Sequence, residues 1–348
     1  MLATLARTYA SQTRIDIVPK AIRIHQNGGP DVLRWEDVDV PPPGPGQVLL
    51  RHTAVGLNYA DVNLRNGTFY IHTTLSLPAI LGNEGAGVVE GLGPGVGNVK
   101  IGDRVVYVSP SGMAPPGSYS ELRVIDADQL MKIPDGISDQ QAAAAFLKGL
   151  TAWCIVRRIF PVQPGHVILI HAAAGGVASF LTQWSKHLGA TVVGTVGSAD
   201  KARAARAAGC DHTILYRDVD FVREVNRLFP AGVSAVFDGV GKDTFLPSLD
   251  CLDPFGTLVN FGNASGAPPP LDIRLLGNRG SQMVTRMGMG FFFRDRRVQH
   301  EATAEIFDLM TKGILTARIA RTYPLREAAQ AHRDLEARRT MGSVVLLP

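Results

Sequence analysis

The sequence contains few cysteines and few charges. Its three cysteines, Cys154, Cys210 and Cys251, lie far apart without a CxxC pair or a metal-binding spacing, which excludes a disulfide framework and favours buried thiols in a reducing compartment. Charged residues make up only 19% of the chain, and the formal charge is +4. The basic residues are scattered and not interleaved with aromatic ones, so the pattern does not indicate nucleic-acid binding. No apolar run has the length of a membrane-spanning helix, so we expect no membrane partner.

The N-terminal segment is almost without acids. Residues 1–20 contain Arg7 and Arg14 but no acid before Asp16. A plain tail and a mitochondrial transit segment both fit this composition. We expect a cytoplasmic protein and keep a mitochondrial location as the alternative.

The pattern of the 348 residues changes part-way along the chain. Residues 1–150 contain short apolar stretches separated by glycine and proline turns, which is typical of an antiparallel, barrel-like domain. Residues 151–288 alternate between strand-like and helical stretches, which predicts a doubly wound parallel sheet. Residues 289–348 contain a helical stretch and a final strand, SVVLLP, that we expect to complete the first domain. The predicted fold class is therefore α/β with two domains, the first of them discontinuous.

One glycine-rich turn points to a nucleotide. The stretch VILIHAAAGGVASF has the pattern of a strand, a turn and a helix, and the turn contains Gly175, Gly176 and Val177. Such a turn lets a pyrophosphate approach the backbone amides at the start of the helix. Of the three glycines in G-x-G-x-x-G only the middle one is kept, with Ala173 and Ala178 in the outer positions. An ordinary strand–helix turn is the alternative, but the position at the start of the alternating region favours a dinucleotide site.

The end of the next predicted strand lacks an acid. A carboxylate there binds the ribose hydroxyl of NAD, whereas this strand ends in Gly197 and Ser198. Lys201 follows, and Tyr216 ends the third strand of this region. A small uncharged turn beside a lysine suits a 2′-phosphate, so we predict NADPH as the cofactor. The alternative is that Lys201 is an ordinary surface residue.

Several motifs resemble one protein family along nearly the whole chain. GLNYAD, GDRVVY, AAAAFLKGLTA, HAAAGGVAS and MGSVVLLP are similar to the medium-chain dehydrogenase/reductase superfamily, and within it to the zinc-free quinone oxidoreductases of the zeta-crystallin type. The resemblance implies a GroES-like, mostly antiparallel β-barrel catalytic domain beside a Rossmann NADPH-binding domain. It also implies a homodimer joined through the Rossmann domains, with the QMVTR strand near the contact.

Two residues depart from the zinc-containing members of this superfamily. Alcohol dehydrogenases have a zinc-binding cysteine in the GLN region and a histidine in a GHE motif, and the resemblance puts Asn58 and Asn83 in those places. Amide side chains are poor zinc ligands, and Glu84 alone cannot hold the ion. The four-cysteine structural zinc loop is also missing, since no cysteine lies between Val108 and Asp126. We therefore predict that the protein binds no metal.

The same resemblance assigns candidate site residues. Asn58 would lie beside the nicotinamide and bond the cofactor ribose or a quinone oxygen, and Tyr59 would line the acceptor pocket or donate a proton. These two are the predicted catalytic residues. The predicted cofactor-binding residues, each with an ordinary structural role as its alternative, are Thr151, Gly175, Gly176, Val177, Gly197, Lys201, Tyr216, Phe261, Gly262, Arg286 and Arg338.

The leading functional hypothesis is NADPH-dependent, zinc-independent reduction of small quinones, which are already strong hydride acceptors. The nearest alternative is reduction of an activated carbon–carbon double bond in an enal or enone, which needs an acid to protonate carbon. Phe69 stands where enoyl-thioester reductases have a tyrosine, which argues against thioesters, although Tyr70 is adjacent. RNA binding, known among zeta-crystallin-type proteins, is a third alternative.

Overall fold

The structure is a computed structural model that describes residues 18–68, 75–109 and 116–348. In chain order the strands are β1 (Lys20–Ile24), β2 (Arg34–Asp37), β3 (Gln47–Leu57), β4 (Ala79–Ile80), β5 (Glu84–Leu92), β6 (Arg104–Val108), β7 (Leu122–Asp126), β8 (Met131–Lys132), β9 (Val167–Ile170), β10 (Thr191–Val196), β11 (His212–Leu215), β12 (Val233–Asp238), β13 (Leu252–Asn260), β14 (Met283–Arg286), β15 (Ile319–Pro324) and β16 (Ser343–Leu347). The helices are α1 (Tyr59–Asn66), α2 (Asp139–Trp153), α3 (Gly176–His187), α4 (Ala199–Ala207), α5 (Phe221–Leu228), α6 (Phe245–Leu249), α7 (Arg274–Asn278), α8 (Met289–Phe292), α9 (Arg296–Thr311) and α10 (Ala328–Glu336).

Six strands form a parallel sheet in the order β11-β10-β9-β12-β13-β14. Strands such as VILI and VSAVFD are almost entirely buried, as expected for a parallel sheet that is covered on both faces. The strand order reverses between β9 and β12. In open sheets of this kind, ligands bind outside the carboxyl ends of the strands at that reversal. The turns after β9, β10, β12 and β13 therefore form the expected edge for a nucleotide.

A second sheet has seven strands, in the order β15-β16-β3-β5-β6-β8 with β7 also paired to β3. Apart from the parallel pair β15 and β16, its neighbours are antiparallel. The C-terminal strand β16 pairs with β3, so the end of the chain returns to the sheet that its N-terminal part begins. A small third sheet contains β2, β1 and β4. The predicted fold class, a Rossmann sheet with a mostly antiparallel second domain, is confirmed; the domain boundaries stay predictions.

Helix α2 connects the two sheets. It begins with a capping box between Ser138 and Gln141 and packs against β3, β5, β6 and β16 as well as against α3 and α9. Its first half is a run of buried alanines, and these allow a close approach to β3. A Cβ atom added at Gly56 in β3 would lie 2.2 Å from the carbonyl oxygen of Ala143. Only glycine fits at that contact, which brings α2 next to the end of β3.

None of the helices in the described parts of the chain is both long and apolar enough to cross a membrane.

Candidate functional site

Asn58 lies where β3 ends and α1 begins, and it is buried. Its Nδ2 donates to Glu84 Oε2 at 2.9 Å and to the Gly56 carbonyl oxygen at 3.2 Å, while its Oδ1 accepts from Lys148 Nζ at 2.8 Å. A carboxylate only accepts and an ammonium only donates, so these partners determine which way the amide points. Both hydrogens of Nδ2 are used, and one lone pair remains on Oδ1.

Lys148 and Glu84 form a buried ion pair beside this amide. The distance between Nζ and Oε2 is 3.3 Å, and the two side chains are 5% and 0% exposed. Glu84 also accepts from the backbone N–H of Leu147 at 2.5 Å through its other oxygen. The sequence analysis did not select Lys148. The available signal was a single lysine within the mostly apolar stretch AAAAFLKGL, since a lysine is almost never buried without a partner.

Asn83 and Asp61 form the neighbouring layer. Asp61 accepts from the backbone N–H of Asn58 at 2.8 Å, and from the backbone and side chain of Asn83 at 3.1 and 2.7 Å. Burial raises the pKa of Asp61 to about 7, although the hydrogen bonds from Asn58 and Asn83 act in the opposite direction. This layer fixes the first turn of α1 against β5.

Helix α1 is also tied to α10 by buried polar groups. Arg65 donates to His332 Nδ1 at 2.9 Å, so the hydrogen of this imidazole is on Nε2 and is donated to Tyr119 Oη, also at 2.9 Å. Burial lowers the pKa of His332 to about 3, and the charge of Arg65 adds to this. The histidine is therefore neutral, and it holds α1 in place without changing charge near neutral pH.

Tyr59 reaches from α1 to the Rossmann sheet. It is half-buried, and its Oη donates to the carbonyl oxygen of Ala264 at 3.3 Å, in the loop after β13. Burial is the main reason that its pKa is raised. The phenol therefore keeps its proton at neutral pH. Phe69 and Tyr70, which bear on the alternative functions, lie outside the described residues.

The glycine turn joins β9 to α3, as predicted. Gly175 is the N-cap of α3, and no side chain caps the helix. Ala172 adopts φ +52°, a left-handed conformation that is strained for alanine. Because no side chain caps α3, the backbone amides of its first turn are available to a phosphate, as such a binding site requires. Val177 is partly buried against the core, which supports its alternative structural role.

Two contacts near the end of β10 involve predicted residues. A Cβ added at Gly197 would lie 2.7 Å from Tyr216 Oη and 3.4 Å from Arg217 Nε, so these two side chains lie over the glycine. In the other contact, Lys201 Nζ donates to the backbone carbonyl oxygen of Arg338 at 3.1 Å. Arg217 was not predicted from the sequence, although it directly follows Tyr216. Asp200, in the first turn of α4, is paired with Arg203.

The remaining predicted residues lie near the carboxyl ends of the strands or on α2. Phe261 and Gly262 follow β13, and a Cβ on Gly262 would be 2.6 Å from the Gly239 carbonyl oxygen. Arg286 ends β14 and donates to Asn260 Oδ1 at 2.5 Å. Thr151 donates to the Leu147 carbonyl within α2 at 2.8 Å, which is its alternative structural role.

Two family models match the chain. One, "alcohol dehydrogenase GroES-like domain", covers residues 44–135, and the other, "zinc-binding dehydrogenase", covers residues 208–346. The chain is 43% identical to a quinone oxidoreductase of Pseudomonas aeruginosa, over 94% of this chain and 99% of that protein. It is also 43% identical to a 2-haloacrylate reductase from a Burkholderia species, over 93% and 98%. The solved Escherichia coli quinone oxidoreductase complexed with NADPH is 39% identical, with a TM-score of 0.89 over 94% of this chain and all of that one.

The chain belongs to the quinone oxidoreductase family of the medium-chain dehydrogenases/reductases. The resemblance stated from the motifs is thereby confirmed, together with the GroES-like and Rossmann fold.

One of the two family models is described as zinc-binding. Whether this chain can bind zinc depends on which side chains stand at the site. The family resemblance puts Asn58 and Asn83 in the places of the two zinc ligands, and each donates from its amide to a carboxylate. In residues 18–68, 75–109 and 116–348, no three His, Cys, Asp or Glu side chains are grouped so that they could hold a metal ion. Zinc independence stays a prediction.

We expect the purified protein to contain far less than one zinc per chain, because amides replace the thiolate and imidazole that bind this ion. Elemental analysis by mass spectrometry after metal-free purification measures this directly. A zinc-containing alcohol dehydrogenase taken through the same purification is the control. Near-stoichiometric zinc that survives dialysis against a chelator would contradict the prediction.

Proposed function

We propose that this family member is an NADPH-dependent, zinc-independent oxidoreductase that reduces small quinones. The observation that supports the cofactor most directly is the basic region after β10, where Tyr216 and Arg217 lie over Gly197 and Lys201 reaches the backbone of Arg338. Asp200 in the same region is already paired with Arg203. A 2′-phosphate carries the charge that such a surface binds, whereas a ribose hydroxyl is normally bound by a carboxylate. The solved relative with NADPH supports the same choice.

The described residues fit the rest of such a cofactor. The uncapped first turn of α3, at Gly175 and Gly176, would hold the pyrophosphate. The carboxyl ends of β13 and β14, with Phe261, Gly262 and Arg286, would lie along the nicotinamide half. When bound, NADPH supplies the hydride. The protein holds the two reactants at reacting distance and supplies a proton.

Asn58 and Tyr59 take different hydrogen-bonding roles. Because both Nδ2 hydrogens of Asn58 are donated to Glu84 and Gly56, Asn58 acts as an acceptor and suits a ribose hydroxyl better than a quinone oxygen. Of these two residues, Tyr59 is the one that can donate a hydrogen bond to the substrate. Its proton is held at neutral pH, and its bond to Ala264 is long at 3.3 Å, so its hydroxyl can turn to the oxygen of a reduced quinone.

Replacing Lys201 with alanine should weaken NADPH binding by about tenfold, because one charge-assisted contact to the phosphate is lost. NADH binding should not change. The dissociation constants of both cofactors can be measured by calorimetry. Arg203→Ala is the matched control, since Arg203 lies on the same helix but is paired with Asp200. Unchanged NADPH affinity in the Lys201 variant would refute this assignment.

The second candidate is reduction of an activated double bond, and it is favoured by the relative named 2-haloacrylate reductase. NADPH oxidation should be compared for a simple para-quinone and a trans-2-enal in metal-free buffer, with wild-type protein and with Tyr59→Phe. We expect fast turnover of the quinone and slow turnover of the enal. Loss of the phenol should slow any enal reaction by roughly a hundredfold, since carbon must be protonated. Turnover of the enal alone would replace the quinone proposal.

We further propose a homodimer that forms at the open edge of the Rossmann sheet. Strand β14 is at that edge, and Met283 on it, Phe255 on β13 and Ile273 before α7 are exposed apolar residues. Exposed edges and apolar side chains of this kind favour pairing with a second copy.

A cytoplasmic location also remains a proposal, and residues 1–17, which bear on a transit segment, lie outside the described residues.

Sedimentation velocity of the wild-type protein should therefore give the mass of a dimer, and Met283→Asp should shift it towards the monomer. Ile101→Asp is the matched control, because Ile101 is also an exposed apolar residue, 62% against 53% for Met283, but lies in the other domain. A monomeric wild-type protein, or an equal shift in both variants, would contradict this interface.

A further inference from the structure

Lys148 touches two parts of the site that lie far apart in the sequence. Its ammonium contacts Asn58 Oδ1 at 2.8 Å and Glu84 Oε2 at 3.3 Å. Its stem lies against the glycine turn, since a Cβ added at Gly176 would be 3.0 Å from both Cδ and Cε of the lysine. One side chain therefore links the start of α3 to the amide at the end of β3.

This contact gives a reason for the glycine at position 176. Gly176 is the first residue of α3 and does not adopt a positive φ, so its backbone does not require glycine. Alanine is the better helix former. The atoms nearest to an added Cβ belong to the lysine stem, and a distance of 3.0 Å is shorter than an ordinary contact between carbon atoms. The stem cannot move freely, since two acceptors hold its far end.

The ammonium in turn determines what Asn58 can do. It occupies one lone pair of Oδ1 and pairs with the carboxylate that accepts from Nδ2. Without it, the amide oxygen would lose its partner and Glu84 would be a buried charge without a counterion, which is strongly unfavourable. Lys148 therefore holds the oxygen end of the Asn58 amide, while Glu84 and Gly56 hold its nitrogen end.

We propose that Lys148 is a positioning residue, which fixes the Asn58 amide for the reaction, and that Gly176 is a glycine in order to leave room for its stem. The effect on activity rests on the proposed function, whereas the steric relation between Lys148 and Gly176 does not.

The steric part is tested by a double-mutant cycle of Gly176→Ala and Lys148→Ala. If the stem is the obstacle, Gly176→Ala lowers the free energy of unfolding in the wild-type background but has little effect on it once Lys148 is alanine. The urea-unfolding midpoint gives a readout that needs no substrate, and the NADPH dissociation constant is measured on the same proteins. Equal effects of Gly176→Ala on unfolding and on NADPH binding in both backgrounds would overturn the proposal. A wild-type protein that reduces no quinone would instead refute the proposed function, and the unfolding cycle would remain decisive for the contact.

The positioning part is tested by comparing Lys148→Met, Glu84→Gln and the double variant Glu84→Gln/Lys148→Met. If Lys148 only neutralised Glu84, the double variant would match Glu84→Gln in both stability and kcat. Positioning predicts that the double variant has the unfolding midpoint of Glu84→Gln while its kcat is at least about tenfold lower than that of Glu84→Gln. The isotope effect on kcat with NADPH deuterated at the transferred position should also increase, because the hydride step becomes slower. Lys186→Met, which removes a surface ion pair with Asp211, is the control. A double variant whose kcat equals that of Glu84→Gln would overturn the proposal.

Discussion

The buried ion pair between Lys148 and Glu84 is the interaction on which the site depends. Removing two charges from water is costly, and their attraction offsets the cost only when further hydrogen bonds satisfy both groups. Here Glu84 also accepts from Asn58 and from the backbone of Leu147, and Lys148 also donates to Asn58. The three side chains come from α2, from the residue between β3 and α1, and from β5, so the pair forms only when the helix and the sheet are correctly docked.

Close packing makes that docking possible. The alanine-rich start of α2 approaches β3 at Gly56, where any side chain would collide with both Ala143 and Glu84. The next turns of the same helix place Lys148 between two segments. Its ammonium contacts Asn58, directly after β3, and its stem lies against Gly176, at the start of α3. The packing of α2 therefore does more than stabilise the chain. It also determines how Asn58 is placed relative to the glycine turn.

Much of the fold could be predicted because its signals are local. Alternating strand-like and helical stretches indicate a parallel sheet. The absence of an acid after β10 can be seen from a few consecutive residues. The direction of the Asn58 amide could not be predicted in the same way. It depends on partners 26 and 90 positions away. The motif AAAAFLKGLTA supported the family resemblance, yet nothing within it shows that its lysine has a carboxylate and an amide as partners.

The residues around Asn58 also limit which hydride acceptors, that is, which substrates, suit the site. The family resemblance puts the Asn83 and Asn58 amides where the superfamily has zinc ligands, and the structure adds the ammonium of Lys148 beside Asn58. With two acceptors in place this ammonium keeps one N–H, and a single hydrogen bond polarises an oxygen less than direct coordination to a zinc ion does. The acceptor must then be electrophilic without strong polarisation. Quinones meet this condition, and among activated alkenes those with electron-withdrawing substituents come nearest to it, which is consistent with relatives named for both chemistries.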